Sequence, residues 1–392
     1  MADYPVPSLG GKTPLAIARK PHIDALAPLS EVGRMVTVPN GFAPGSDVAN
    51  LSVMGYDPSE SYSGRSPLEA VSIGIPLKET DVTLRCNLVT LSDEEPYEKK
   101  RMIDYSSGEI STEEAAELIA YLKPYFDDAI FRLYAGVSYR HCLVVDHGKA
   151  IHEFTPPHDI SDLPIHPYLP KGEGSEVFLD LMKRSYELLN NHPVNQKRIA
   201  EGKNPANSVW FWGEGTYPKL ENFEEKYGLK AGVISAVDLV RGIGLLAGMK
   251  VIPVEGINGN YDTNFLGKAE AAAKALEEGL DLVYIHMEGP DECGHHGDVK
   301  HKIYSIEQID DKVVRVLKER LEKIVPYTML ICPDHPTPIV KRTHVSDPVP
   351  YLLYRSDRPY PSSATAYDEE EAEKTGIFVE RGCDMMSRLI KG

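Results

Sequence analysis

A chain of 392 residues with 42% hydrophobic residues and a mean hydropathy of −0.29 has room for two or three ordinary domains with a sizeable core, and it carries no low-complexity tract. A formal charge of −17 excludes a general nucleic-acid binder, which needs a surplus of Lys and Arg to neutralise phosphates. The five cysteines never form a CxxC pair, which excludes a disulfide framework or Cys-rich zinc site, and no apolar run reaches the ~18 residues of a membrane span; a cytoplasmic, non-exported protein without membrane or nucleic-acid partners is expected.

The first strand expected is RMVTVP (34–39). The loop and helix PNGFAPGSDVANLSVMGYDP (39–58) follow, with Ser46 after Gly45 at the helix start and Asp47 in the first turn. A serine there is ordinarily an N-cap that satisfies free backbone amides. The same geometry also presents Oγ to an anion beside outward-pointing amides.

From Ile75 to Tyr227 the pattern changes, and a smaller α/β domain inserted into the first is expected there. DVTLRCNLVTL (81–91) and FRLYAGVSYRHCLVV (131–145) read as longer, more alternating strands. A Pro-rich passage, FTPPHDISDLPIHPYLPKG (154–172), leads to a helix over 175–192. VWFWGEG (209–215) reads as a buried strand and turn, with Glu214 a lesser site candidate.

Beyond Leu229, strand candidates AGVISAV (231–237), MKVIPV (249–254), LDLVYIHM (280–287) and YTMLIC (327–332) alternate with helical patterns over 262–279 and 297–324. That alternation is the mark of an α/β, doubly wound, mostly parallel sheet, assigned to residues 1–74 and 228–392.

Three further polar clusters lie at strand ends in this region. GPDECGHHGD places Asp291 and His295 four apart, where one helical turn or a tight loop brings them together outside a strand's carboxyl end. LICPDHPTPIV places Asp334 and His335 side by side, and His344 follows nine residues later. Adjacent residues reach one ion only on a turn, because on a strand they point to opposite faces. Each cluster alone also fits a solvated loop. Together, two carboxylates, three histidines and one serine fit a pair of divalent cations flanking a nucleophile, with Mn²⁺ or Zn²⁺ suited to mixed oxygen and imidazole ligands. Two such ions lower the pKa of an alcohol and clamp attacking and leaving oxygens in an in-line phosphoryl displacement.

PGSDVANLSVMGYDP, GRSPLEA, PDECGHHGD and CPDHPTP...RTHVSDPVPYLLY resemble the archaeal-type cofactor-independent phosphoglycerate mutases of the alkaline phosphatase superfamily, and the likeness spans essentially the whole chain. The resemblance implies that Ser46 is the phosphorylated nucleophile. It implies that Asp291, His295 and His344 hold one metal, and that Asp334 and His335 hold the other with Ser46. Mn²⁺ is the first choice, with Zn²⁺, Mg²⁺ or Co²⁺ as alternatives. It further implies an inserted domain that reorients substrate, and a strand ending in Asp-Gly just ahead of MADYPVPSLGGKTPLAIA whose Asp binds metal; Asp3 does not match that position.

A phosphoglycerate needs Arg or Lys donors for its phosphate and carboxylate, and Arg65, Arg85, Arg140 and Arg241 stand beside informative loops. His141, His158 and Asp159 are candidates for proton transfer at substrate hydroxyls. Three alternatives remain open at this point: a homoserine kinase built on the same site, although no Walker-type loop is present, a phosphomonoesterase that releases the phosphoryl group to water, and a catalytically silent homologue.

Overall fold

Short apolar, β-branched runs beyond Lys219 build a three-stranded parallel sheet with Ala231–Ile234 between Lys250–Val251 and Leu282–Ile285. A second, four-stranded sheet runs in the order Thr328–Ile331, Val349–Arg355, Ser30–Met35 and Phe378–Val379. Its first two pairings are antiparallel and the last is parallel. These sheets belong to the first of two compact units seen in the computed structural model, Met1–Tyr62 with Lys219–Gly392; the second is Ser63–Pro218. The structure describes residues 1–323 and 326–391.

The strand expected over 34–39 lies at Ser30–Met35 instead. Register against Val349–Arg355 sets it, from Ser30 opposite Tyr354 to Met35 opposite Val349. A partner three hundred residues away thus outweighs the local β-branched signal of Val36, Thr37 and Val38.

The helix Phe265–Glu277 buries Ala269, Ala272 and Ala273, whose small side chains let it lie close against Ile306, Val313 and Leu317. Those partners belong to one continuous helical run: Val299–Gln308, a π-helical turn Ile309–Val314 and Arg315–Leu321. The π turn carries Asp310, whose carboxylate accepts the backbone N–H groups of Ile23 (2.7 Å) and His22 (3.3 Å) at the start of the helix Pro21–Asp24. That extra residue in the turn aims a polar group at amides that have no helical partner of their own. The last residue of the helix expected over 297–324, Ile324, lies outside the described residues.

Leu282–Ile285 and Thr328–Ile331 each pair on one edge among the described residues, and both line one apolar cavity of about 600 Å³. Leu276, Val313 and Leu317 close one side of it, with Met386 and Leu389 among its other lining residues.

The second unit is an antiparallel sheet organised around Val82–Leu91, which pairs with Met102–Asp104, Arg140–Val145 and Ser208–Thr216; Phe131–Tyr134 extends it beyond Arg140–Val145. Strand alternation gives this sheet two faces. Leu84, Cys86, Leu88, Leu143 and Phe211 enter a core with the helices Thr112–Phe126 and Glu176–Leu189. The unit begins at Ser63 rather than the expected Ile75, because the helix Ser66–Ser72 packs Ala70 on Cys142 and Val144 of this sheet. It ends at Pro218 rather than Tyr227. The helix Phe223–Tyr227 is tied into the first unit through Phe223 N to Ala247 O and Tyr227 Oη to Gly55 O.

Candidate active site

Ser46 is the first residue of the helix Ser46–Val53, and the N-cap position belongs to Gly45. A Cβ at Gly45 would stand 2.5 Å from the Asp47 carboxylate, so the cap has no side chain to offer. The serine hydroxyl is therefore not spent on capping. Its Oγ lies 3.0 Å from His335 Nε2.

Asp334 and His335 follow the strand Thr328–Ile331, where the chain leaves regular structure and the two neighbours can face the same way. Asp334 Oδ2 is 3.4 Å from His335 Nε2, and Asp334 Oδ1 accepts the His335 backbone N–H at 2.9 Å. Thr337 bridges onward, with Oγ1 bonded to Asp291 Oδ1 and 3.3 Å from His335 Nδ1.

Asp291 and His295 sit one turn apart on the helix Gly289–His296, with His295 Nε2 3.3 Å from Asp291 Oδ2. This helix closes on the Thr337 loop because Gly294 has no Cβ; one would stand 2.4 Å from Thr337 O. His344 Nε2 lies 3.4 Å from Asp291 Oδ1 and 2.9 Å from His295 Nε2. Ligand atoms of Asp291, His335 and His344 all fall within 4.8 Å of one another. Of the neighbouring histidine-rich residues, His296 is exposed and Asp298 caps the next helix while pairing with His301.

The donor set fits a divalent cation. His295 Nδ1 faces the Arg342 carbonyl at 3.1 Å, a group that can only accept, so Nδ1 carries a proton, and Nε2, which donates to Asp291 here, would offer its lone pair to a cation once its own proton is lost. Two imidazole nitrogens 2.9 Å apart beside a carboxylate are what a shared cation would join. Burial opposes the Asp291 charge, yet hydrogen bonds from His295 and His344 hold it well below the usual carboxylate range, and the bond to Asp291 lifts His295 to about 9. Asp3 takes no part: it forms a fully buried ion pair with Lys302 at 2.7 Å.

In the second unit, Arg85, Asn87, Arg140 and Trp212 share the sheet face opposite the core. Arg85 is fixed on two sides. Its Nε bonds Glu69 Oε2 at 2.9 Å, and its guanidinium carbon lies 3.9 Å over the Trp212 ring. Arg65 also reaches Glu69, at 2.7 Å, and Arg140 stacks on Tyr139 at 4.2 Å. Burial lowers Arg85 to about 10, with Glu69 working against that shift. His158, in the turn Pro157–Ile160, packs edge-on to Trp212 at 5.1 Å with Asp159 3.7 Å away. Burial lowers its pKa; Asp159 opposes this, and Arg85 and Arg65 add to it. Arg241 belongs to the other unit, on the helix Asp238–Leu246, where it bonds Asp238.

His141 lies apart from these residues. One step along the strand from Arg140 turns it to the core face, where it is 4% exposed, accepts the Gly136 N–H at 3.1 Å and is driven by burial to about 3. That side chain shares the core face with Cys86 and is turned away from the face that carries Arg85 and Arg140. Glu69, Trp212 and Thr337 lie inside stretches singled out in the sequence, yet nothing there marks them apart from their neighbours. Glu214 accepts from His152 Nδ1 at 2.7 Å and the His152 N–H at 3.0 Å, tying down the loop before the Pro-rich passage.

A serine at a helix start, facing carboxylates and imidazoles that follow strands of an α/β fold, fits an alkaline-phosphatase-like enzyme of phosphoryl transfer. A sequence model described as 2,3-bisphosphoglycerate-independent phosphoglycerate mutase matches residues 27–195. The chain is 49% identical over its full length to a probable 2,3-bisphosphoglycerate-independent phosphoglycerate mutase of Geobacter sulfurreducens, covering 97% of that protein. It is 48% identical to the mutase of that name from Methanosarcina barkeri, at 100% and 97% coverage. A solved Pyrococcus horikoshii protein superposes with a TM-score of 0.82 at 29% identity, covering 100% of this chain and 94% of that one. The cofactor-independent phosphoglycerate mutase of Thermoplasma acidophilum shares the fold, with a TM-score of 0.67 at 24% identity and coverages of 100% and 96%. The chain belongs to the family of 2,3-bisphosphoglycerate-independent phosphoglycerate mutases. Relatives this similar carry the mutase name, which favours that activity over a homoserine kinase or a silent homologue. No helix among the described residues is long and apolar enough to cross a membrane.

Proposed function

We propose that the protein interconverts 2-phosphoglycerate and 3-phosphoglycerate by moving the phosphoryl group onto Ser46 and back. The single observation that carries this reading is the meeting of Ser46 Oγ with His335 Nε2 at 3.0 Å, beside the Asp334 carboxylate. In the forward step Ser46 Oγ gives up its proton and bonds to phosphorus while the bond from phosphorus to the substrate oxygen breaks, and that oxygen takes up a proton, so none is gained or lost overall. Transfer from phosphoserine to the other hydroxyl of bound glycerate reverses the exchange and restores the serine. Splitting the transfer in two lowers each barrier.

Two divalent cations, Mn²⁺ foremost, would be held by Asp291, His295 and His344 and by Asp334, His335 and Ser46, and when bound they supply Lewis acidity that favours the serine alkoxide and the charge on the transferring group. Arg65, Arg85 and Arg140 are assigned to the phosphate and carboxylate of the substrate, with Arg241 as a further donor. His158, held neutral by its surroundings, with Asp159 beside it, is assigned to proton exchange at the substrate hydroxyls. A cytoplasmic location agrees with five cysteine thiols, none of them in a disulfide.

Incubation with Mn²⁺ and 3-phosphoglycerate is expected to give 2-phosphoglycerate and a trapped phosphoryl group on Ser46, read by mass spectrometry. Homoserine with ATP should give no phosphohomoserine. Absence of both 2-phosphoglycerate and phosphoserine would sink the assignment.

A further inference from the structure

Asn50 lies four residues after Ser46 on the same helix face and is fully buried. Its Nδ2 donates to Ser46 O at 2.8 Å and to Asp334 Oδ2 at 2.9 Å, while its Oδ1 accepts the Tyr284 hydroxyl at 2.6 Å. The orientation of the amide is forced: a backbone carbonyl and a carboxylate only accept, so nitrogen must face both, and oxygen must face Tyr284. Tyr284 comes from the strand Leu282–Ile285, so a helix, a strand and the Asp334 loop are joined at one amide. Burial pushes the Tyr284 hydroxyl well above its ordinary range, which keeps it a donor through neutral pH.

The effect falls on Asp334. One carboxylate oxygen takes the His335 backbone N–H and the other takes Asn50, so the group is pinned at both ends while each oxygen retains acceptor capacity. Ser46 is tied to the same amide through its carbonyl. Asn50 meets Ser46 at its backbone carbonyl and leaves the hydroxyl to His335.

We propose that Asn50, oriented by Tyr284, is the positioning residue of the nucleophile's half of the site: it sets the Asp334 carboxylate against Ser46 and His335, and so the affinity of that half for a divalent cation. The Asp291, His295 and His344 half is left unaffected. The inference rests on the two-cation reading given above.

The test is calorimetric titration of the metal-free full chain with Mn²⁺, alongside thermal melting. Wild type should bind two ions. The double variant N50L/Y284F keeps the branching of residue 50 and leaves no hydroxyl without a partner, so its metal-free Tm should stay near wild type. Its second ion should bind about 10–100-fold more weakly, with the first unchanged, as expected for loss of a group that orients a ligand. Asn50→Leu alone, which strands the Tyr284 hydroxyl, should lower Tm as well. Two ions bound by wild type and by N50L/Y284F with equal affinities would overturn the positioning role while leaving the two-cation reading intact. Wild type binding one ion or none would overturn that reading and the inference with it. Should N50L/Y284F fail to fold, Tyr284→Phe, which only releases the amide, is read in its place: weaker second-ion binding supports the role, and unchanged binding overturns it.

Discussion

Ser46 and His335, 289 positions apart, meet at 3.0 Å between hydroxyl and imidazole. The contact brings the start of a helix to the end of a strand, and it gives the serine a partner that a capping serine lacks. Ser46→Ala should reduce mutase turnover by on the order of 10⁴-fold or more and abolish phosphoryl incorporation, with Tm near wild type because Gly45 holds the cap position. Persistent phosphoenzyme in the variant would place the nucleophile elsewhere.

Chelation should destabilise the protein as well as silence it. Ions that bind only the folded chain contribute about 2.7 kcal/mol each at a free concentration a hundred times Kd, so EDTA should lower Tm and Mn²⁺ should restore it. In Asp291→Asn the stoichiometry should fall by one ion. Equal Tm with and without EDTA would argue against cations at this cluster.

Arg85 is clamped before substrate arrives. Arg85→Lys loses the planar fork and the stacking on Trp212, and KM for 3-phosphoglycerate should rise at least tenfold, about 1.4 kcal/mol. Glu69→Gln keeps the arginine but weakens its tether, and a smaller rise in KM with kcat nearly unchanged is expected. Steady-state kinetics that show a fall in kcat with KM constant would assign Arg85 to a different step.

His141 and His158 should separate cleanly. Replacing His141 by Gln should cost stability on the order of 1 kcal/mol through the Gly136 hydrogen bond and leave the pH profile of kcat in place. Replacing His158 by Gln should change that profile. A His141 variant with a shifted profile would return it to the reaction.

Lys268 is fully buried, with its ammonium on His286 O at 2.7 Å, and burial lowers it to about 8 against the opposing charge of Glu288. Between about 8 and the ordinary value of 10.5, the unfolded chain holds a proton that the folded chain has released. Stability from this position therefore rises with pH across that window. The urea midpoint of wild type relative to Lys268→Met should climb from pH 7.5 to 10; a flat difference would contradict the burial cost.

The residues legible in the sequence were those whose chemistry is concentrated at the ends of apolar runs. Asp291 with His295, and Asp334 with His335, stand out because a strand delivers them and a Gly or Pro turn frees them to converge. Arg85 and Arg140 were legible as charges on strands. Their fixing was not, since Glu69 meets Arg85 only once a helix packs on the sheet, and Trp212 only through cross-strand register. His141 shows the same in reverse: its type suits catalysis, but strand parity places it on the core face. Asn50 and Thr337 sit within the resembling stretches but are uncharged, so only their hydrogen bonds in the fold reveal what they hold. Ser30–Met35 was displaced from the local β signal because its pairing partners lie at the far end of the chain.

The spacing between Ser46 and His335 also has a consequence during synthesis. At roughly 5–20 residues per second a ribosome needs on the order of 15–60 s to travel from one to the other, and His344 emerges later still. The unit Ser63–Pro218, whose strands pair only among themselves, is complete well before then and can fold while the rest is being made. A nascent chain thus carries Ser46 through most of translation before His335 and His344 exist to meet it, so the cluster assembles only when synthesis is nearly finished.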